Sequence, residues 1–583
     1  MADMSASNRL SPTRIGWETL LVAGLLILTF IPFLGENLYS TKGEPREAVI
    51  AVAMLQSGDW VLPVTFGAEI PYKPPMLAWC IALFGSLNSG VVTEFLSRLP
   101  SALAVIIMVI AGFRLYARRA TVNLAMAAAL ITAGSFELFR SGTICRVDML
   151  LTMFVVTALY AFYRQSDRHP GGTWSPSIWA ALLMSGGVLT KGPVGMLLPC
   201  MVVFVFRLMR GNGFWKTTVS VGLSALLSLV LPALWYLAAY QKGGEEFLRL
   251  AMEENFGRFT GTMSYESHEN PAWYNLLTLA YGLAPATLLL LMSVFVAPWR
   301  RREKASGATG FSLKRIWRKL RGMDSLELFS LLALVLIFVF YCIPKSKRSV
   351  YLLPVYPFAA YFIAMYVRWL LRHFPRLVKA YCWVICILGL VASAMVIAVM
   401  YGLLPEIGDA KIAVVTECLR ESSHRFWPFA LCMFSLLCGC GLGRELMRSK
   451  ARVGFGWTMI YTLVIYWMVQ GAVLPAAMNV KSDKPLAQAI EAVVPSGPVY
   501  SYRPEAMWRY YVVNYYMHDR LRLFDVDMPE KGLLLVGEGD FQILKDGVGA
   551  DYKFSDTKLL GCRSNETRQH TLLLEFERKH CAL

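Results

Sequence analysis

The sequence predicts an all-α polytopic membrane protein of about thirteen transmembrane helices, closed by a small C-terminal α/β domain. Three observations carry that expectation. Of 583 residues, 56% are hydrophobic and 17% charged, with a mean hydropathy of +0.47; a water-soluble core cannot absorb so much apolar surface. Apolar runs of spanning length, roughly 17–25 residues, recur along most of the chain. Past residue 480 the pattern changes to short segments with strand and turn signals.

The runs fall at 15–34, 97–116, 120–138, 148–163, 176–190, 193–209, 217–240, 275–298, 326–343, 350–370, 379–403, 425–442 and 456–476. "LTKGP" interrupts the long apolar stretch 176–209 and divides it in two. The first run, Trp17–Phe33, is long enough to span and has no small-residue cleavage site after it, so it reads as a retained helix.

Charge orients the runs. Lysine and arginine collect in alternate connections, the mark of cytoplasmic loops. Arg9 and Arg14 precede the first span; Arg114, Arg118 and Arg119 follow the second; Arg164 and Arg168 follow the fourth. Arg207, Arg210 and Lys216 follow the sixth, a dense basic run from Arg300 to Arg321 the eighth, Arg368 to Lys379 the tenth, and Arg444 to Arg452 the twelfth. The net charge of +17 is therefore topology, and no nucleic-acid partner is expected. The opposite face then holds 35–96, 139–147, 190–193, 241–274, 344–349, 404–424 and everything after about 477. In a bacterial inner membrane that face is periplasmic.

The C-terminal part, 480–583, reads as a helix over Leu486–Val494 and strands over Gly497–Arg503, Lys531–Gly539 and Thr571–Lys579. Cys562 and Cys581 lie in it on the oxidising side, where a disulfide is open to them. Most other cysteines fall in or beside spans and read as small apolar groups. No CxxC or HExxH spacing is present. Asn565-Glu566-Thr567 is a weak glycosylation match.

Chemistry should lie in four constellations on the outer face. The segment 35–96 is far longer than a connection needs to be, and carries Glu44, Arg46, Glu47, Asp59, Glu69 and Lys73. "GEPREA" starts a short helix with Pro45 in its first turn, and "YKPP" braces Lys73 in extended backbone. A solvated connector is the plainer reading; charge density and the braced lysine favour a site. "RVDMLLT" puts Asp148 at the membrane boundary with Arg146 beside it. A buried carboxylate there is costly unless paired, although a carboxylate in the first turn of a helix also suits the dipole. "LTKGPVG" places Lys191 in an apical turn, for a phosphate or simply snorkelling. "PKSKRSVYLLPVYP" holds Lys345, Lys347 and Arg348, a basic outer turn that breaks the charge rule and so points to a bound anion such as a lipid phosphate.

These motifs, together with "SRLPSAL" (Ser97–Leu103), resemble in order and spacing the aminoarabinose transferase and protein O-mannosyltransferase group of polyprenyl-phosphate-sugar glycosyltransferases. The resemblance covers most of the membrane region. It implies a GT-C fold and transfer of one aminoarabinose- or mannose-like sugar from an undecaprenyl phosphate-type carrier. The acceptor would be lipid A, a glycan or a protein at the outer face. One position departs: the group's first-loop motif reads Asp-Glu-x-Arg, and here Gly43 replaces the aspartate, with Glu44 and Arg46 following. Tyr72 stands where an acidic residue often precedes the lysine. A divalent metal, which such a carboxylate would hold, is thereby placed in doubt.

The expected chemistry follows from the leaving group. A lipid phosphate on the anomeric carbon needs positioning and charge stabilisation, which Arg46, Lys73, Arg146, Lys191, Lys345, Lys347 and Arg348 can supply, with Tyr351 as a hydrogen-bond donor. Glu44 is expected to be the catalytic base for a hydroxyl acceptor, with Asp148 assisting, and direct displacement would invert the anomeric centre. Acceptor specificity would come from 241–274, with Glu253, Glu254, Arg258 and His268 as candidates. The competing classes are a lipid-linked sugar flippase, which would need mid-membrane charges and repeated halves, and an oligosaccharide ligase or polymerase using diphosphate-linked chains.

Overall fold

The computed structural model describes residues 12–257, 269–271, 273–296, 318–404, 410–422, 425–504 and 509–579. Arg9, Arg258, His268, the basic run 300–315 and Cys581 lie outside the described residues.

The first three helices show how the long outer segment is built. After the apolar helix α1 (Pro12–Phe30), the chain leaves the bundle and forms α2 (Pro45–Ser57). Pro45 takes the first helical position, where its missing N–H costs nothing. Gly58, at φ +70°, closes the helix by donating its amide to the Met54 carbonyl at 2.9 Å. Pro74 and Pro75 then set up α3 (Met76–Ser86), a helix that falls in none of the thirteen apolar runs. It is apolar but only 11 residues long, too short to cross a membrane.

The bundle proper begins with α4 (Glu94–Arg119), whose Thr93 cap accepts the Leu96 amide at 3.2 Å. There follow α5 (Val122–Ala133), α6 (Phe136–Gly142), α7 (Val147–Arg168), α8 (Ile178–Lys191), α9 (Val194–Met209), α10 (Phe214–Ser228) and α11 (Val230–Met252). Further helices cover Trp273–Gly282, Ala286–Val296, Ser325–Cys342, Tyr356–His373, Pro375–Met400, Phe426–Arg448 and Ala451–Met468. Among the described residues eight helices are long and apolar enough to cross a membrane, or ten when each bent pair is taken as one span. The shorter apolar helices 16–30, α8 and α9 occupy three more of the thirteen runs. Burial separates centre from rim: the apolar window of α7 is 83% buried and that of Pro375–Met400 only 28%. The rim helices carry exposed Leu, Val and Phe outward, as a lipid-facing surface requires.

Two runs read as single spans are broken. Residues 120–138 bend by 65° between α5 and α6, and the Gly134 carbonyl freed there accepts the Tyr466 hydroxyl at 2.9 Å. Residues 275–298 turn through 105° at a break containing Pro285, where the Ala284 carbonyl accepts the Phe136 amide at 3.0 Å. Proline cannot donate to the helix ladder, and apolar surroundings demand a substitute partner for each freed group.

The C-terminal sheet is mixed. Its strands are β1 (Val499–Tyr502), β2 (Leu521–Leu523), β3 (Lys531–Gly537), β4 (Tyr552–Phe554), β5 (Leu560–Arg563) and β6 (His570–Arg578), in the order β2-β1-β3-β6-β4 with β5 also on β6. β1 is parallel to β2 and β3, while β6 runs antiparallel to β3 with Leu534 opposite Leu574. One face packs on helices Lys484–Val493 and Tyr511–Tyr516 and takes in Phe66 of the outer segment. The other gathers Phe524, Leu544, Tyr552 and Phe576.

Contacts sort the connections into two ends. At one end Asp59 pairs with Lys242, Glu269 bridges to Ser346, Arg140 reaches Ser349, and Asn479 binds the Leu38 amide. These join 35–96, 139–147, 241–274, 344–349 and the C-terminal part, the segments that charge alone placed on one face. At the other end Arg119 pairs with Asp167, and Arg207 donates to Ser166 and Gln165.

Candidate functional site

Glu44 caps α2 and points into the bundle. Its carboxylate accepts Arg98 Nε at 2.8 Å, Arg98 Nη2 at 3.1 Å and the Cys145 amide at 2.7 Å. Arg98, on α4, spends Nη1 on the carbonyls of Leu34 and Asn37 at 2.7 and 2.6 Å. Burial opposes the Glu44 charge, yet Arg98 and the Cys145 amide hold its carboxyl below the usual range. Three of the roughly four acceptor positions of that carboxylate are thus filled. Glu44, the base expected from the sequence, is thereby placed between Arg98 of α4 and the Cys145 amide just before α7.

Glu47 is three residues along the same helix, so it faces a neighbouring sector. It makes a buried ion pair with Lys73 and a second contact with Arg46 Nη2 at 3.3 Å. Tyr72 lies beneath both cations, its ring 5.3 Å from Arg46 Cζ and 5.9 Å from Lys73 Nζ. Burial and the neighbouring Arg46 push the Lys73 ammonium down to about 8, against the pull of Glu47 and Glu254. Burial opposes the Glu47 charge in turn, but Lys73 and Arg46 outweigh it and keep the carboxyl low. Arg46, Glu47, Glu69, Tyr72 and Lys73 line a small cleft.

Asp148, in the first turn of the central helix α7, forms a second buried ion pair with Lys191, the last residue of α8. The Lys191 ammonium sits 4.5 Å above the Tyr351 ring, which stacks on Tyr341 at 5.5 Å. Gly192, at φ +76°, ends α8; a Cβ there would strike the Asn255 amide oxygen, so the segment Glu253–Gly257 packs directly over this turn. The two pairs belong to one electrostatic cluster, since Asp148 feels Lys73 and Lys73 feels Glu254. Of the specificity candidates, Glu254 thus lies near the site, whereas Glu253 turns to Arg249 at 3.8 Å.

The remaining predicted cations are distributed unevenly. Arg146 caps α7, half buried beside Gly43. Lys347 is buried and donates to the Pro344 carbonyl at 2.6 Å, tying its own turn together. Lys345 is exposed, and Arg348 caps the short 3-10 helix that delivers Tyr351. The basic turn is a scaffold for Tyr351 as much as a row of free cations.

Among the described residues the carboxylates Glu44, Glu47 and Asp148 stand with cations, and Asp, Glu, His and Cys side chains do not form groups of three that could hold a metal ion. Two residues of the cluster receive no role from the sequence: Glu47, named there only among the charges of the outer segment, and Arg98. The second had a signal, a lone arginine early in an apolar helix.

Known proteins resemble this arrangement. The pattern of the dolichyl-phosphate-mannose-protein mannosyltransferase family matches residues 72–236. The undecaprenyl phosphate-alpha-4-amino-4-deoxy-L-arabinose arabinosyl transferase of Edwardsiella ictaluri is 26% identical over 465 residues, 75% of this chain and 78% of that protein. The protein of the same name from Pseudomonas aeruginosa strain UCBPP-PA14 is 28% identical over 348 residues, 58% of this chain and 57% of that one. The fold matches the crystal structure of ArnT from Cupriavidus metallidurans bound to undecaprenyl phosphate with a TM-score of 0.68 at 18% identity, over 97% of this chain and 98% of that one.

Proposed function

We propose, for a chain that belongs to the aminoarabinose-transferase-like group of GT-C membrane glycosyltransferases, that it moves one sugar from a polyprenyl phosphate carrier to an acceptor at the periplasmic face. The observation that carries this reading is the meeting of two buried carboxylate–lysine pairs, Glu47–Lys73 and Asp148–Lys191, under Tyr351 at one end of the bundle. Relatives that share these segments are named for undecaprenyl phosphate-linked aminoarabinose, which supports that carrier and an aminoarabinose- or mannose-like sugar. Lipid A, a glycan or a protein is the acceptor.

Without donor, each lysine is neutralised by its own carboxylate, so burial is tolerable. A donor phosphate offers both ammonium groups a stronger partner. Lys73 and Lys191 turn to it and stabilise the negative charge that grows as the anomeric C–O bond breaks. Asp148, released from Lys191, becomes the base: the acceptor hydroxyl attacks the anomeric carbon and its proton passes to Asp148. Polyprenyl phosphate leaves with the bonding electrons, and in-line attack inverts the centre. An acceptor that is already a phosphate needs no base, and Asp148 then only orients it.

The test is transfer of radiolabel by the purified protein from undecaprenyl-phosphate sugars to envelope acceptors, beside the same sugars on undecaprenyl diphosphate. Consumption of the monophosphate donor with release of undecaprenyl phosphate is expected. Consumption of the diphosphate donor alone would place the protein among ligases, and acceptor-independent movement of intact donor among flippases.

A further inference from the structure

Arg146 is the cation of this cluster whose charge the described residues leave unanswered. Its side chain makes no hydrogen bond and no ion pair with any described residue. The two carboxylates whose fields reach it, Glu44 and Asp148, are already held by Arg98 and Lys191. It also caps α7, where the positive end of the helix dipole opposes a cation. Half-buried guanidinium in such a place costs free energy unless an anion meets it.

Gly43 makes the room. A Cβ built there collides with Arg146 Nη2 and lies 2.8 Å from Cζ and 3.3 Å from Nε. Gly43 is not among the residues with positive φ; a side chain there would displace the end of Arg146 from the place it now holds. The chain thus places a planar, multiply donating cation near Asp148, two residues before it in sequence.

We propose that Arg146 is a specificity-determining contact for an oxyanion, carboxylate or phosphate, that the substrate presents beside Asp148. The inference rests on the polyprenyl-phosphate reading above but departs from its aminoarabinose- or mannose-like sugar, naming an acidic sugar instead. Lys73 and Lys191 already serve the carrier phosphate, so the oxyanion at Arg146 belongs to the transferred sugar, and a guanidinium fork suits a carboxylate or phosphate bidentately. An amino sugar brings a second cation to that guanidinium instead of an anion.

The test uses the full-length protein with undecaprenyl-phosphate donors bearing an amino sugar, a neutral sugar or a uronic acid. Wild type is expected to favour the uronic acid over the amino sugar in kcat/KM by roughly ten- to hundredfold, the worth of one charge-assisted hydrogen bond. Arg146→Gln should collapse that ratio and Arg146→Lys retain part of it, the second variant guarding against a misfolded first. An oxyanion on the carrier instead would show as equal weakening of all three donors and of undecaprenyl phosphate itself in Arg146→Gln. One on the acceptor would show as a raised acceptor KM. Unchanged donor ratio, acceptor KM and undecaprenyl phosphate affinity in Arg146→Gln would overturn the proposal. A wild type that consumes no donor sinks the reaction class, while phosphate binding compared between wild type and Arg146→Gln still decides the oxyanion site, equal affinity counting against it.

Discussion

Two glutamates three residues apart divide the labour of α2. Glu44 is matched to Arg98 deep between α4 and α7, and removing one partner of such a pair strands the other charge. Glu44→Gln should therefore lower stability by roughly 3–5 kcal/mol, with Glu44→Met/Arg98→Met recovering much of the loss; thermal unfolding in detergent measures both. Lys73 carries a different prediction. Its ammonium titrates near 8, where an ordinary lysine holds its proton to about 10.5. Donor binding should weaken as pH rises through 8, and Lys73→Arg, whose guanidinium keeps its charge, should move that loss to higher pH. A KM for donor that is flat from pH 7 to 9.5 in wild type would exclude Lys73 from phosphate binding. At this scale the sequence was half legible. Asp148, Lys73 and Lys191 could be picked out by the cost of placing charge at a membrane boundary. Which glutamate meets Lys73 could not, because neighbouring sectors of one short helix differ only in what packs against them.

The outer segment does not hold itself in place. The six-residue helix Tyr511–Tyr516 reaches into it with three phenols: Tyr511 donates to Glu69 at 2.7 Å, Tyr515 to the Val92 carbonyl at 2.8 Å, and Tyr516 to Glu94 at 2.8 Å. Asp519 accepts the Phe66 amide at 3.0 Å. The Glu566 carboxyl fastens this helix from behind, at the Val512 amide. Burial raises Glu566 to about 8, against an ordinary 4.5. The folded chain thus holds a proton that the unfolded chain releases between those values, so this contribution to stability is full at low pH and lost as pH rises through 8. The unfolding midpoint should fall from pH 6 to pH 8.5, and Glu566→Gln should flatten that fall; an unchanged slope in the variant would contradict it. The four named secondary elements of this part were readable from alternation and amphipathicity. The tyrosine helix was not, since "YVVNYY" has the composition of a strand and becomes helical through what it packs against.

Across the whole molecule, alternation of basic loops anticipated which connections share an end, and the contacts group them the same way. Hydropathy located the helices but could not show where two of them break, because a broken span and a straight one bury the same residues; the freed carbonyls of Gly134 and Ala284 find partners from remote sequence. The consequence is one polar cluster at the end of an apolar bundle, its residues drawn from the outer segment, α7 and α8, with the helix Tyr511–Tyr516 packed against the outer segment. The central claim is that Asp148 works there while Glu44 only holds the outer segment. It is tested most directly by the single-turnover rate of sugar transfer from undecaprenyl phosphate to a hydroxyl acceptor, with saturating donor and folded protein. Asp148→Asn should slow that step by roughly 10²–10⁴-fold, and the folded fraction of Glu44→Gln should stay within about tenfold of wild type. A wild-type rate in Asp148→Asn, or a collapse confined to Glu44→Gln, would contradict the account.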